Sequence, residues 1–179
     1  MEKGLIQLYY GNGKGKTTAA IGSVVRAVGH GMKVLVYQFL KSPDGSGEVS
    51  VLKGLPGVEY MDNTVNSPFL FNLTPEQQEY FAGLYGEEFD TLKSKIMSGS
   101  YDMVVLDELI DAWNLQLIPR EEVYRLMETK PDSTELIITG HVYSEPIDEL
   151  KNRADYVTEF KKEKHPFDNG ECARTGVEE

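Results

Sequence analysis

The sequence predicts an α/β fold, a mainly parallel sheet flanked by helices. Three observations carry this expectation. Short apolar runs at residues 5–10, 33–40, 103–106 and 135–139 have the length and character of buried strands. Segments with apolar residues at helical spacing lie between them. A strand, a helix and a second strand also fall within the first 40 residues. Such a βαβ unit needs a crossover that makes its two strands parallel.

The elements follow in order. Residues 5–10 read as a strand running into a glycine-rich turn. Residues 17–28 place Ala19, Ala20, Ile21, Val24, Val25 and Val28 on a helix that Gly29 and Gly31 end. His30 reads as its C-terminal cap, facing the negative end of the helix dipole. Residues 33–40 form a second buried strand. Residues 42–57, rich in Ser, Gly, Pro and Asp, read as a mobile loop, and 58–61 as a short strand. Residues 63–73 look irregular and unusually apolar, with Phe69, Leu70 and Phe71.

Thr74 as N-cap, Pro75 at the first helical position and Glu76 in the first turn open a long helix. It is expected to reach Met97 and to be broken or strained near Gly83 and Gly86. The strand at 103–106 ends in Asp107-Glu108, and Trp113, at helical spacing from Leu109, reads as core. Pro119 starts another helix, and the strand at 135–139 ends in Gly140. A helix starts at Ser144 or Glu145 with Pro146, residues 156–160 form a last strand, and 161–179 are a polar tail. No repeat, low-complexity segment or linker interrupts the chain, so 1–179 reads as one domain.

The net charge of −11, from 18 basic and 29 acidic residues, repels nucleic-acid backbones. No nucleic-acid partner is expected, and any phosphate must be held locally. The single cysteine, Cys172, excludes an internal disulfide and a thiolate metal site and fits a reducing compartment. Residues 1–6 enter a strand-like run directly, and no apolar stretch is long enough to span a bilayer. The expectation is a cytoplasmic protein without a membrane partner.

Gly11-Asn12-Gly13-Lys14-Gly15-Lys16-Thr17-Thr18 lies between a strand and a helix, the context that makes a glycine-rich string a phosphate loop. The glycines permit positive φ and let backbone N–H groups curl inward. The helix N-terminus adds partial positive charge. Lys16 would reach the terminal phosphates, and Lys14 either helps it or is a solvated loop lysine. Thr17 would place its hydroxyl on Mg²⁺, and the adjacent Thr18 competes for that role. Three residues separate Gly11 from Gly15 where the usual motif has four, so the loop is a shortened variant. Asp107, at a strand tip, is the expected metal partner, held directly or through water. Glu108 either polarises a water or joins the metal shell. These residues point to a nucleoside triphosphate, MgATP first.

Together they resemble the P-loop type of ATP:corrinoid, or cob(I)alamin, adenosyltransferases. The phosphate loop with Ala19-Ala20, the run Val36-Tyr37-Gln38-Phe39-Leu40-Lys41, and Val105-Leu106-Asp107-Glu108 are similar to family motifs. So are Leu136-Ile137-Ile138-Thr139-Gly140 and the tail from Lys164-His165-Pro166-Phe167 to Gly176-Val177-Glu178. The resemblance implies a three-layer RecA-like fold whose C-terminal tail, 161–179, folds near the nucleotide. It implies that Co(I) of a corrinoid attacks C5′ of ATP, which is bound in reverse of ordinary P-loop hydrolases, and that triphosphate leaves. It further implies contacts from Gln38 and Lys41, a homodimer, and a reduced flavoprotein as electron donor.

Two departures stand out. The family has Arg after Thr-Gly, and here it is His141, which reads either as a phosphate or ribose contact or as a surface histidine beginning a loop. Where the family carries a Gly-, Phe- and Trp-containing corrinoid segment, this chain has residues 63–73. Phe69 and Phe71 are candidates there for closing the lower face of cobalt, with core packing as the other reading. His165 either approaches the nucleotide or caps a turn. The alternatives left open are a divergent P-loop ATPase or nucleotide switch, a small-molecule kinase, and a binding module.

Overall fold

The computed structural model describes residues 3–41, 46–65, 73–143 and 146–177. The strands are β1 (Ile6–Tyr10), β2 (Val34–Gln38), β3 (Val58–Met61), β4 (Met103–Asp107), β5 (Glu135–Gly140) and β6 (Tyr156–Glu159). The helices are α1 (Lys16–Gly29), α2 (Gly47–Gly54), α3 (Pro75–Met97), α4 (Leu109–Asn114), α5 (Arg120–Thr129) and α6 (Asp148–Arg153). A 3₁₀ turn spans Pro166–Asn169. All strand pairs are parallel, in the order β3-β2-β4-β5-β1-β6.

Alternation along the strands sorts side chains into two layers. Val34 and Val36, with Met103, Val105 and Ile137, pack under Ala20, Val24 and Ala27 of α1 and Leu52 of α2. Leu35 and Tyr37, with Val104, Leu106, Leu136 and Ile138, face α3 to α6 on the other side. Helices on both faces of a parallel sheet give the expected three-layer arrangement. Trp113 is 1% exposed in the second layer, as expected for core.

Register brings the working ends together. Gln38 pairs with Asp107 across β2 and β4, and Tyr10 with Gly140 across β1 and β5. The C-terminal tips of four adjacent strands thus line one edge, where open α/β sheets bind ligands.

Three expectations are corrected. The segment read as a loop over 42–57 contains α2, which buries Val49 and Leu52. α3 runs through Gly83 and Gly86 without a break. Its buried face, Tyr85, Phe89, Leu92 and Ile96, outweighs the cost of about 1 kcal/mol that each helical glycine carries. β2 stops at Gln38, because Leu40 turns into the left-handed region with φ 60°. The α3 start is as expected: Thr74 accepts from the Gln77 N–H, Gln77 reaches back to Thr74, and Pro75 sits at the first position. His30 stands at the C-cap of α1, its N–H bonded to the Ala27 and Val28 carbonyls.

Candidate functional site

The phosphate loop joins β1 to α1, and its glycines have two distinct causes. Gly15, the N-cap of α1, and Gly11 have φ 112° and 115°, a conformation that side chains oppose. Gly11 and Gly13 lie against Phe160, just beyond β6. A Cβ on either would come within 2.5 Å or 2.8 Å of the Phe160 carbonyl oxygen. The Gly13 N–H donates to that oxygen at 2.6 Å. The edge strand therefore braces the loop.

Lys16 is buried, and its ammonium donates to the carbonyls of Gly11 at 2.8 Å and Gly13 at 3.0 Å. Burial lowers its pKa, against the opposing pull of Asp111, Glu108 and Asp107. The cation is folded onto its own loop, close to where loop amides would meet phosphate.

Asp107, fully buried at the tip of β4, gathers four side chains. Thr17 Oγ1 lies 3.0 Å from Oδ1 and 3.2 Å from Oδ2. Thr139 donates to Oδ1 at 2.6 Å, and Gln38 Nε2 to Oδ2 at 2.9 Å. Lys41 Nζ sits 2.9 Å from Oδ2, 3.5 Å from Thr17 Oγ1, 3.6 Å from Glu48 and 3.7 Å from Glu108. Burial opposes both charges of the Lys41–Asp107 pair. Their attraction outweighs it, holding Lys41 above and Asp107 below its ordinary range. Thr17, not the exposed Thr18, is the hydroxyl that meets the carboxylate.

Glu108 follows in a left-handed conformation, φ 60° and ψ 21°, which costs backbone energy in a non-glycine residue and turns the chain into α4. Burial raises its carboxyl to about 7. Lys41 opposes that rise, and Asp107 and Asp111 add to it. Glu108, Thr17, Thr18 and Val177 belong to the walls of two adjoining clefts. One cleft also holds Asn12 to Lys16, Thr139 and His141, and the tail residues His165 and Cys172 to Arg174. The other runs past Lys41 and Glu48 to the start of α2.

The structure thus unites Gly11, Asn12, Gly13, Lys14, Gly15, Lys16, Thr17, Thr18, Gln38, Lys41, Asp107, Glu108 and His141 along one edge of the sheet. Gln38 reaches that edge through Asp107, and Lys41 through both Asp107 and Thr17 of the loop. His165 caps the turn, its Nδ1 accepting from Phe167 N–H at 3.2 Å, and it also lines the first cleft. Phe69 and Phe71 lie outside the described residues. Sequence reasoning missed Glu48, Tyr60, Thr139 and Asp111. Tyr60 donates to Gln38 at 3.0 Å, and Glu48 accepts from Gln38 at 3.1 Å. Thr139 alone carried a signal, as the polar end of an apolar strand run.

Among solved structures, a KaiC-like protein from the hyperthermophilic archaeon Pyrococcus horikoshii OT3 superposes with TM-score 0.56 at 14% identity. The match covers 91% of this chain and 75% of that one, and it shows a shared fold. The corrinoid adenosyltransferase of Escherichia coli K12 is 38% identical over 177 residues, covering 99% of this chain and 86% of the relative. A corrinoid adenosyltransferase from Salmonella typhimurium LT2 is 36% identical over the same length and shares. The family described as ATP:corrinoid adenosyltransferase BtuR/CobO/CobP matches residues 2–178. With nearly the whole chain inside that match and its motif residues gathered at one sheet edge, the chain belongs to the ATP:corrinoid adenosyltransferase family.

Proposed function

We propose that this chain transfers the 5′-deoxyadenosyl group of ATP to Co(I) of a corrinoid and releases inorganic triphosphate. The observation that carries the site assignment is the Asp107 cluster at the mouth of the phosphate loop, joined to Thr17 and Lys41. In the reaction a Co–C5′ bond forms from the cobalt electron pair. The C5′–O5′ bond breaks, and its pair leaves with the triphosphate. The protein's task is then to position two reactants and to neutralise the departing charge.

Lys16 meets that charge by exchanging its Gly11 and Gly13 carbonyls for phosphate oxygens, with Lys14 and the loop amides beside it. The residues present fit Mg²⁺. Thr17 Oγ1 and the Asp107 carboxylate are hard oxygen donors 3.0 Å apart, and the Lys41 ammonium already stands beside them as a monovalent stand-in. Among the described residues no group of three or more His, Cys, Asp or Glu is placed to hold a metal, so nucleotide oxygens would complete the shell. Bound there, Mg²⁺ would supply charge neutralisation at the triphosphate. Glu108, beside Lys41 and in both cleft walls, serves as an outer ligand and orients the group in transit. The second cleft gives a corrinoid access to the wall it shares with the nucleotide cleft.

The same reading includes one domain over 1–179, a homodimer and a reduced flavoprotein donor, each supported by the family resemblance. A cytoplasmic location is supported by the lone cysteine. Among the described residues no helix is long and apolar enough to cross a membrane. The test is anaerobic: protein, MgATP and chemically reduced Co(I) cobalamin, with phosphorus products followed by NMR and cobalt by its visible spectrum. Triphosphate formed together with a light-sensitive adenosyl–cobalt spectrum is the expected result. ADP without a change at cobalt would mean a divergent ATPase.

A further inference from the structure

Asp111, on α4, takes no part in the proposed transfer, yet it is a buried carboxylate beside the nucleotide cleft, 3% exposed. Among the described residues, the hydrogen-bond partners of its carboxylate all come from the segment after β5. Oδ2 accepts the His141 backbone N–H at 2.9 Å. Oδ1 faces His141 Nδ1 at 3.1 Å and accepts the Tyr143 hydroxyl at 2.9 Å. Burial, then Asp111, pushes the Tyr143 phenol well above its usual range, which keeps it a donor. Asn114 Nδ2 holds the His141 carbonyl at 3.1 Å. Gly140 makes the approach possible, since a Cβ there would stand 2.5 Å from Asp111 Oδ2 and 2.7 Å from Ile110 Cβ.

The consequence is chemical. A carboxylate oxygen only accepts, so the ring nitrogen facing it must carry the proton. The neutral ring then has its lone pair on Nε2. Among the described residues Nε2 has no hydrogen-bond partner, and His141 forms part of the wall of the first cleft. An imidazole so fixed accepts a hydrogen bond, whereas phosphate oxygens offer no donor. The group of ATP next to the triphosphate that does offer one is the ribose, through its 2′- and 3′-hydroxyls.

We propose that Asp111 is a positioning residue that locks His141 as a hydrogen-bond acceptor for a ribose hydroxyl of the nucleotide. His141 is then a specificity determinant for the sugar, not a replacement phosphate clamp. This rests on the nucleotide reading of the first cleft.

Binding is measured by calorimetry with Mg²⁺ and four probes: ATP, 2′-deoxy-ATP, 3′-deoxy-ATP and inorganic triphosphate. Wild type should bind ATP about 10-fold more tightly than one of the two deoxynucleotides, the effect of one hydrogen bond. In His141→Ala, where the backbone N–H of residue 141 and the Tyr143 hydroxyl still satisfy Asp111, that preference should vanish while triphosphate affinity holds. In uniformly ¹⁵N-labelled wild type, the His141 ring should show the Nδ1–H tautomer. Asp111→Asn should shift it toward Nε2–H and reduce the sugar preference. Loss of triphosphate affinity in His141→Ala, parallel to that of ATP, would overturn the proposal in favour of an imidazolium phosphate contact. Persistence of the sugar preference in that variant, or an Nε2–H tautomer in wild type, would overturn it as well. Failure of wild type to bind ATP at all would remove the nucleotide reading itself and the proposal with it.

Discussion

Two buried carboxylates stand at opposite edges of neighbouring strands. Asp107 closes β4 and Glu135 opens β5. Glu135, 8% exposed, accepts the Leu5 backbone N–H at 2.7 Å and the Gln7 amide at 2.6 Å, stapling β1 to β5. A backbone donor cannot be exchanged while the sheet stands. Among the described residues the Asp107 carboxylate has only side-chain donors, from α1, β2, β5 and the turn after β2, and one of them is a lysine ammonium. Both carboxylates satisfy the demand that buried polar groups be hydrogen-bonded. One does so permanently, the other with partners a ligand can replace. We propose that the exchangeability of its partners, rather than burial alone, marks Asp107 as the ligand-binding carboxylate of these two.

The largest expected effect breaks the comparison at its functional end. Asp107→Ala should lower adenosyl transfer at least about 100-fold, the scale of losing one preorganised electrostatic group at a reacting centre. Glu135→Ala should leave turnover per folded molecule unchanged. It should instead lower stability in urea by about 2 kcal/mol, because the Leu5 N–H loses its partner in a partly buried place. If Glu135→Ala lost activity at full stability, the division between the two edges would be wrong.

A smaller effect concerns Glu108, next to Asp107. Its carboxyl is raised from 4.5 to about 7, so the folded state holds the proton more tightly than the unfolded chain does. The stabilisation is complete below about 4.5, declines as pH rises towards about 7, and is flat above that. Partial exposure of the side chain limits the loss to about 1–2 kcal/mol. Ligand-free Glu108→Gln should lack this decline, and urea melts at pH 5 and 7.5 would show it. The smallest effect lies away from both edges. Gly83, inside α3, has open space around a would-be Cβ, so Gly83→Ala should stabilise by about 0.5–1 kcal/mol with activity unchanged. A loss of stability would point to strain in α3 that its regular course conceals.

What the sequence made legible was local. The phosphate loop and the Asp107 strand tip are short strings whose chemistry depends on their own neighbours, and they could be read without the fold. The α3 start was readable for the same reason, its capping box lying within four residues. What stayed hidden depends on contacts between distant segments. Gly11 takes the expected positive φ, but Gly11 and Gly13 also meet a constraint the sequence did not show, the Phe160 carbonyl far along the chain. α2 sits in a Gly- and Ser-rich stretch and is fixed by the burial of Val49 and Leu52, a tertiary effect that overrides composition. Asp111 and His141 are 30 positions apart, and nothing in either string announces their pairing.

The central claim is that the Asp107 cluster is a cation site for nucleotide binding, with Lys41 standing where Mg²⁺ charge is needed. It is tested most directly by ATP affinity as a function of Mg²⁺ concentration, in wild type and in Asp107→Asn. The account predicts that Mg²⁺ tightens ATP binding about 10-fold or more in wild type and has little effect in the variant. An equal Mg²⁺ response in the two proteins would contradict it and return Asp107 to the structural role that Glu135 plays at the other edge.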